Sequence, residues 1–509
     1  MPTIPLPQDP DLGQLRKQAR ELQRAVRESD QAALALVAEF GPDRAGQETL
    51  ASSAGTFPLS AAQLVIARRY GFASWPRLRR HVEVVTARSW TPGIQPPDQE
   101  SLADRFLRLA CLTYSADERS DLVAAARVLA AHPELPTLSL PVAAACADVA
   151  QVRRFLAANP SLATATSGPH GWSPLLYLAY ARHDPQVGLD ATIATARLLL
   201  DAGADPNDGR FWHGLPTPFT VLTGVLGYGE GGDSQPAHPH SIPFARLLLD
   251  AGADPNDGQA LYNRMFSPSN DHLVLLFEYG LGQPASGPWH RLLDGALETP
   301  PQMLRNLLRW AIAHDERDRV ALLATNGVDV AAPFTDTERG HDERTPVEFA
   351  LFNGHRELAS QLLALGAAPP RLSPPDEFIG AALAGDGDAV AGTDPAVVAK
   401  VRQDWPGLVT WAASQGAPNA VDLLVGVGFD VNGDGRSDIP DAAPWHTALH
   451  VAAGEGQLEL ARRLLELGAD PQARDKHYYS TPLGWARHFG QQSLIDLLAP
   501  VTREDDALT

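Results

Sequence analysis

The chain has 509 residues, enough for about three domains or one long repeat array. Hydrophobic residues make up 44% and charged residues 20%, which excludes a disordered polyelectrolyte and a coiled coil. A net charge of −20 opposes contact with phosphate backbones, so nucleic-acid binding is not expected, and partners carrying a basic patch are.

Residues 11–29 read as a helix: Asp11 caps it, and Leu12, Leu15, Ala19, Leu22 and Val26 recur at helical spacing. Asp30 opens a second helix that Gly41-Pro42 stops, and Ser60 after Pro58 is read as the cap of a third carrying Leu64, Val65, Ile66 and Ala67. Ser74-Trp75-Pro76 opens a fourth. Residues 1–86 are thus expected to form a small helical module, whose Arg68, Arg69, Arg77, Arg79, Arg80 and His81 read as a solvated face, with a local anionic or nucleic-acid contact as the alternative. Residues 87–100 read as a Pro-rich linker. No basic start followed by an apolar core opens the chain and no apolar run reaches membrane-spanning length, so a cytoplasmic protein is expected. Cys111 and Cys146 sit in apolar helical patterns and read as small buried hydrophobes, not as a disulfide pair.

From residue 101 short helical patterns alternate with Gly/Asp/Pro/Asn turns that repeat. Gly203-Ala204-Asp205-Pro206-Asn207 follows TARLLLDA, and Gly252-Ala253-Asp254-Pro255-Asn256 follows FARLLLDA. Looser copies begin at Gly327, Gly366, Gly428 and Gly468. Spacings within neighbouring pairs are 49, 39 and 40 residues, the mark of a repeat architecture. Each unit holds two short helices with one apolar stripe apiece, which only stacking can bury. Leu198, Leu199, Leu247, Leu248, Leu362, Leu363, Leu464 and Leu465 are the expected second-helix core, and the glycine at each helix end supplies a left-handed cap.

The clearest unit, HTALHVAAGEGQLELARRLLELGADPQARD at 446–475, resembles an ankyrin repeat, with Ala448 where the pattern usually has Pro. STPLGWARHFGQQSLIDLL at 480–498 is a weaker terminal copy, and further copies lie at 345–369, 217–256 and 172–207. Degenerate copies lie at 139–165, 259–285, 303–333 and 407–432. The chain is similar to ankyrin-repeat proteins of bacterial type, in which such a helical N-terminal module often precedes the repeats. The resemblance implies an all-α ankyrin-repeat solenoid with finger loops, acting as a non-catalytic protein-interaction scaffold that binds through its concave face and fingers. The units run longer than the family's roughly 33 residues. The longest insertion, 226–241, falls between the two helices of one unit, and a break near 370–405 suggests sub-arrays at 101–372 and 373–500, followed by a disordered tail at 501–509.

The aromatic and histidine side chains of the fingers, His170, Trp172, Phe211, Trp212, His213, Tyr262, Trp445, His477, Tyr478 and Tyr479, read either as braces between neighbouring fingers or as contacts for a partner or ligand. Asp430, Asn432, Asp434, Asp438 and Asp441, with Gly435 at the sharp turn, match a calcium-loop spacing, but Pro440 and Pro444 stand where a helix is needed; a decorated finger is the competing reading, and no other cofactor is expected. His238 and His240, with Glu230 and Asp233 nearby, form a weaker metal pattern, and His341-Asp342-Glu343 reads as a finger tip. The alternative to a scaffold is an enzyme or small-ligand binder whose pocket is built by the long insertions.

Overall fold

The computed structural model describes residues 4, 6–7, 10–41, 56–90, 100–114, 121–212, 217–284, 287–293, 296–335, 343–436 and 444–503. The chain forms two compact units, Met1–Met303 and Leu304–Thr509. Both are mostly helical, and no described helix is long and apolar enough to cross a membrane.

In the first unit, helices Leu12–Arg27, Gln31–Phe40, Leu59–Arg69 and Trp75–Arg88 close around Leu15, Leu22, Phe57, Val65, Ile66 and Leu78. Asp11 accepts from the Gln14 N–H at 2.6 Å, and Asp30 from Ala33 at 2.9 Å, as capping requires. Ser60 is not a cap: the third helix starts at Leu59 behind Pro58, with no side-chain cap. The fourth helix runs to Arg88 and passes into strand β1, Ser89–Trp90.

β1 lies parallel to β2, Gly209–Trp212, pairing Ser89 with Phe211 and Trp90 with Trp212. β2 is antiparallel to β3, Phe219–Thr220. A finger that the repeat pattern projects into solvent is therefore the central strand of a three-stranded sheet, and the fold is not purely α.

Helix pairs follow in both units. In the first, Leu140–Ala145 pairs with Val149–Ala158, Pro174–Tyr180 with Leu189–Asp201, and Val221–Leu226 with Ser241–Asp250. In the second, Pro346–Phe352 pairs with Arg356–Ala364, Leu408–Ser414 with Pro418–Gly426, Ala448–Gly454 with Leu458–Glu466, and Pro482–His488 with Gln492–Leu498. First helices pack on the first helices of neighbouring pairs, burying the stripe that neither helix covers alone.

Only one leucine of each second-helix doublet is core. Leu199, Leu248, Leu362 and Leu464 are fully buried, whereas Leu198, Leu247 and Leu465 are half-buried and Leu363 is 41% exposed. Adjacent helical residues point about 100° apart, so both cannot face one neighbour. The glycines that follow these helices adopt φ near +95° at 203, 252 and 468. A Cβ at those positions meets nothing within 4 Å, so backbone conformation, not space, selects glycine.

Candidate functional site

The finger turn is a polar device. In its Asp-Pro-Asn and Asp-Val-Asn forms the aspartate accepts from the N–H two residues on: Asp205 from Asn207 at 2.8 Å, Asp254 from Asn256 at 3.0 Å and Asp430 from Asn432 at 2.9 Å. The asparagine reaches the next finger. Asn207 donates to the Gly252 carbonyl at 2.9 Å and accepts from the Asp254 N–H at 2.8 Å. Asn432 repeats the pair with Gly468 and Asp470, at 3.1 and 2.7 Å.

That geometry bears on the calcium reading. Asp430 and Asn432 are spent on the finger backbone, and Asp434 pairs with Lys476 at 2.8 Å. Asp438 and Asp441 lie outside the described residues, as do His341 and Asp342. Among the described residues no group of three or more His, Cys, Asp or Glu is placed to hold a metal ion. The imidazoles of His238 and His240 do not converge on a common ligand: His238 Nδ1 accepts from the His240 N–H at 3.1 Å, His240 Nε2 meets the Val187 carbonyl at 2.6 Å, and Glu230 accepts from Tyr262.

The ten aromatic and histidine candidates divide. His170, Trp172, Phe211 and Trp212 are buried, with Trp172 at 0% and Trp212 at 1% exposure, which corrects their expected place on exposed turns. The cause is the sheet. β1 delivers Trp90 into a cluster where it meets Trp212 at 4.9 Å, His170 at 4.9 Å and Trp172 at 5.4 Å. Trp212 also stacks on Phe219 at 4.5 Å and donates its indole N–H to the Thr113 carbonyl, while Phe211 meets Trp289 edge-on at 5.5 Å. Burial drives the His170 pKa down to about 3, so the ring is neutral in its apolar setting. Cys111 is buried and Cys146 half-buried, and burial raises both thiols, Cys146 to about 12. His213 lies outside the described residues, and Tyr262 is half-buried.

The other four candidates meet at the finger of the last repeats. Tyr478 and Tyr479 are 69% and 65% exposed, and Phe489, the C-cap of helix Pro482–His488, is 56% exposed. Trp445 stacks on His477 at 4.5 Å and 14°, and its ring lies 6.0 Å from Tyr478 and 5.4 Å from Trp485. Sequence reasoning missed Trp485 and Phe489, which sit in an ordinary helical pattern; their signal is an i, i+4 aromatic pair on the helix that follows the finger.

Asp475 organises this finger. It is buried at the turn and accepts from the N–H groups of His477 (2.9 Å), Tyr478 (2.5 Å) and Ser480 (3.1 Å) and from Trp485 Nε1 (3.1 Å). Burial pushes its pKa up, but the converging donors outweigh burial and hold the carboxyl below its usual range. His450, bonded to Thr447 Oγ1 at 2.9 Å, also contacts the Ser480 carbonyl at 3.0 Å, which ties the start of its helix to this finger. Tyr479 takes a left-handed φ of 53°. The exposed rings are thus presented on a backbone fixed from beneath.

Stacked helix pairs with Asp-anchored fingers define a repeat class of protein. Residues 404–506 match the family model for ankyrin repeats, in 3 copies, so that stretch is built of ankyrin repeats. Such repeats are in general protein–protein interaction modules.

Proposed function

We propose that the protein is a non-catalytic interaction scaffold whose helix pairs form a solenoid, and that the aromatic finger at Trp445, His477, Tyr478 and Tyr479 contacts a protein partner. The carrying observation is the exposure of Tyr478 and Tyr479 on a turn pinned by the buried Asp475. Large exposed rings on a pre-organised backbone lose little conformational entropy on binding. His170, Trp172, Phe211 and Trp212 have no part in this reading, because they are core. The net charge of −20 supports a partner with a basic patch, drawn in by long-range steering that salt weakens, and a cytoplasmic setting suits such a scaffold.

The test is affinity capture from native cytosol with wild type and with Tyr478→Ser/Tyr479→Ser. A partner retained by wild type, lost by the double variant and weakened by salt supports the assignment. A partner held equally by both removes the finger from the interface.

A further inference from the structure

The insertion that joins helices Val221–Leu226 and Ser241–Asp250 is a strap, independent of the finger just described. It turns back on itself where the Tyr228 N–H donates to the Gln235 carbonyl at 2.7 Å. Two bonds tie it to the corresponding loop of the preceding helix pair: Arg182 Nε donates to the Pro236 carbonyl at 2.8 Å, and His240 Nε2 meets the Val187 carbonyl at 2.6 Å. The strap begins under strain. Tyr228 holds a left-handed φ of 63° between Gly227 and Gly229, a conformation that persists only where the surroundings enforce it.

His238 anchors the far end. Its N–H donates to the Val225 carbonyl at 3.0 Å, its carbonyl accepts from the Ser241 N–H at 2.9 Å, and its Nδ1 accepts from the His240 N–H at 3.1 Å. A nitrogen that accepts carries no proton, so the bonded ring is the neutral imidazole with its hydrogen on Nε2. The ring is buried, and its surroundings do not favour charge. Helix Val221–Leu226 holds no charged residue, and Phe244 of the next helix meets the ring edge-on at 5.4 Å. The charged or titratable groups that bear on it are Arg182 and His240, and neither is an acid. Arg182 is itself buried and bonded to carbonyl oxygens, those of Pro236, Ala179, Ala181 and Gly224.

A proton on Nδ1 turns the acceptor of the His240 N–H into a second donor and sets a new cation beside Arg182. Burial first, and these cations after it, hold the His238 pKa down to about 2, whereas a histidine on a freed strap titrates near 6.5. The closed form is therefore the one that acid disfavours, and one proton taken up per opening raises the open-to-closed ratio about thirtyfold between pH 7.5 and pH 5.

We propose that the insertion is an acid-released strap: His238 takes a proton on Nδ1, gives up its bond to the His240 N–H, and frees residues 227–240 while the helices beneath stay folded.

The test is hydrogen exchange read by mass spectrometry from pH 7.5 to pH 5, corrected for the pH dependence of the chemical step. Peptides covering 226–241 should lose protection about thirtyfold over that range, and at every pH they should exchange faster than peptides from helices Pro174–Tyr180 and Leu189–Asp201. His238→Asn keeps an acceptor but cannot titrate, so the strap's acid dependence should fall below about threefold. His240→Asn should loosen the strap to a similar extent at each pH and keep the thirtyfold dependence, because a protonated His240 still donates to Val187. Strap protection that does not change with pH, strap and helix amides that exchange at one common rate, or a His238→Asn profile that follows wild type would overturn the proposal; the first two need no variant.

Discussion

Trp212→Ala is the perturbation that most directly separates a core finger from a contact finger. Its indole is 1% exposed and packs against Trp90, Trp172, Tyr180 and Phe219 at ring separations of 4.9, 5.5, 5.6 and 4.5 Å. Truncating a buried tryptophan costs about 3–5 kcal/mol through lost transfer energy and the cavity left behind. The substitution also deletes the indole's hydrogen bond to the Thr113 carbonyl, worth about 1 kcal/mol. These terms overlap, so the expected loss is about 4 kcal/mol, roughly a thousandfold in the folded-to-unfolded ratio. Trp212→Phe retains most of the packing and loses chiefly the hydrogen bond, about 1–2 kcal/mol. Urea titration followed by far-ultraviolet circular dichroism gives the first number. Hydrogen exchange of peptides covering 85–112 and 205–225 locates the loosening, which should reach the N-terminal module through the Trp90–Trp212 pairing. A shift below about 1 kcal/mol, or a Phe variant as damaging as the Ala variant, would refute the packing argument.

Acid should destabilise the first unit. Burial lowers the pKa of His170 to about 3, of His183 to about 4 and of His238 to about 2, so between those values and the free histidine value near 6.5 the unfolded chain binds more protons. Stability is complete above about pH 6.5 and falls below it, by up to about 2 kcal/mol per histidine at pH 5. Urea midpoints measured from pH 8 to 4.5 check this, and a flat profile between 6.5 and 5 contradicts it. Leu464→Ala should cost about 2–5 kcal/mol and Leu465→Ala clearly less, since only the first is fully buried; equal losses in denaturant titration would contradict the assigned helix face. Asn432→Ala removes two bonds to the neighbouring finger and should lower the thermal midpoint by an amount that a calcium chelator does not change; a loss that appears only with calcium present would restore the metal-loop reading.

The helical elements of the chain were largely legible because each carries its own local signal: a capping aspartate, a 3.6-residue stripe, a glycine just past the end. Asp11, Asp30 and the repeat glycines behave as local chemistry dictates, and the ankyrin resemblance rested on the same features. What failed was long-range. Phe211 and Trp212 lie in a finger by position, and nothing within ten residues of them reveals that Ser89 and Trp90, more than a hundred residues earlier, will pair with that strand and draw it inward. Residues 87–90 looked like the start of a linker because a two-residue strand has no period to detect.

The same distinction explains the two kinds of aromatic finger. An isolated ring at a turn is ambiguous in sequence, since burial and presentation use the same residue types. The partner decides. Trp212 gains a parallel strand and a tryptophan cluster, whereas Tyr478 and Tyr479, with an aspartate beneath their backbone, stay 69% and 65% exposed. An aspartate that spends its acceptors on the turn's own N–H groups fixes the backbone without covering the side chains. Aromatics beside such an aspartate, with no strand in register to claim them, therefore remain available to a partner, and this argues for placing the contact at the last finger.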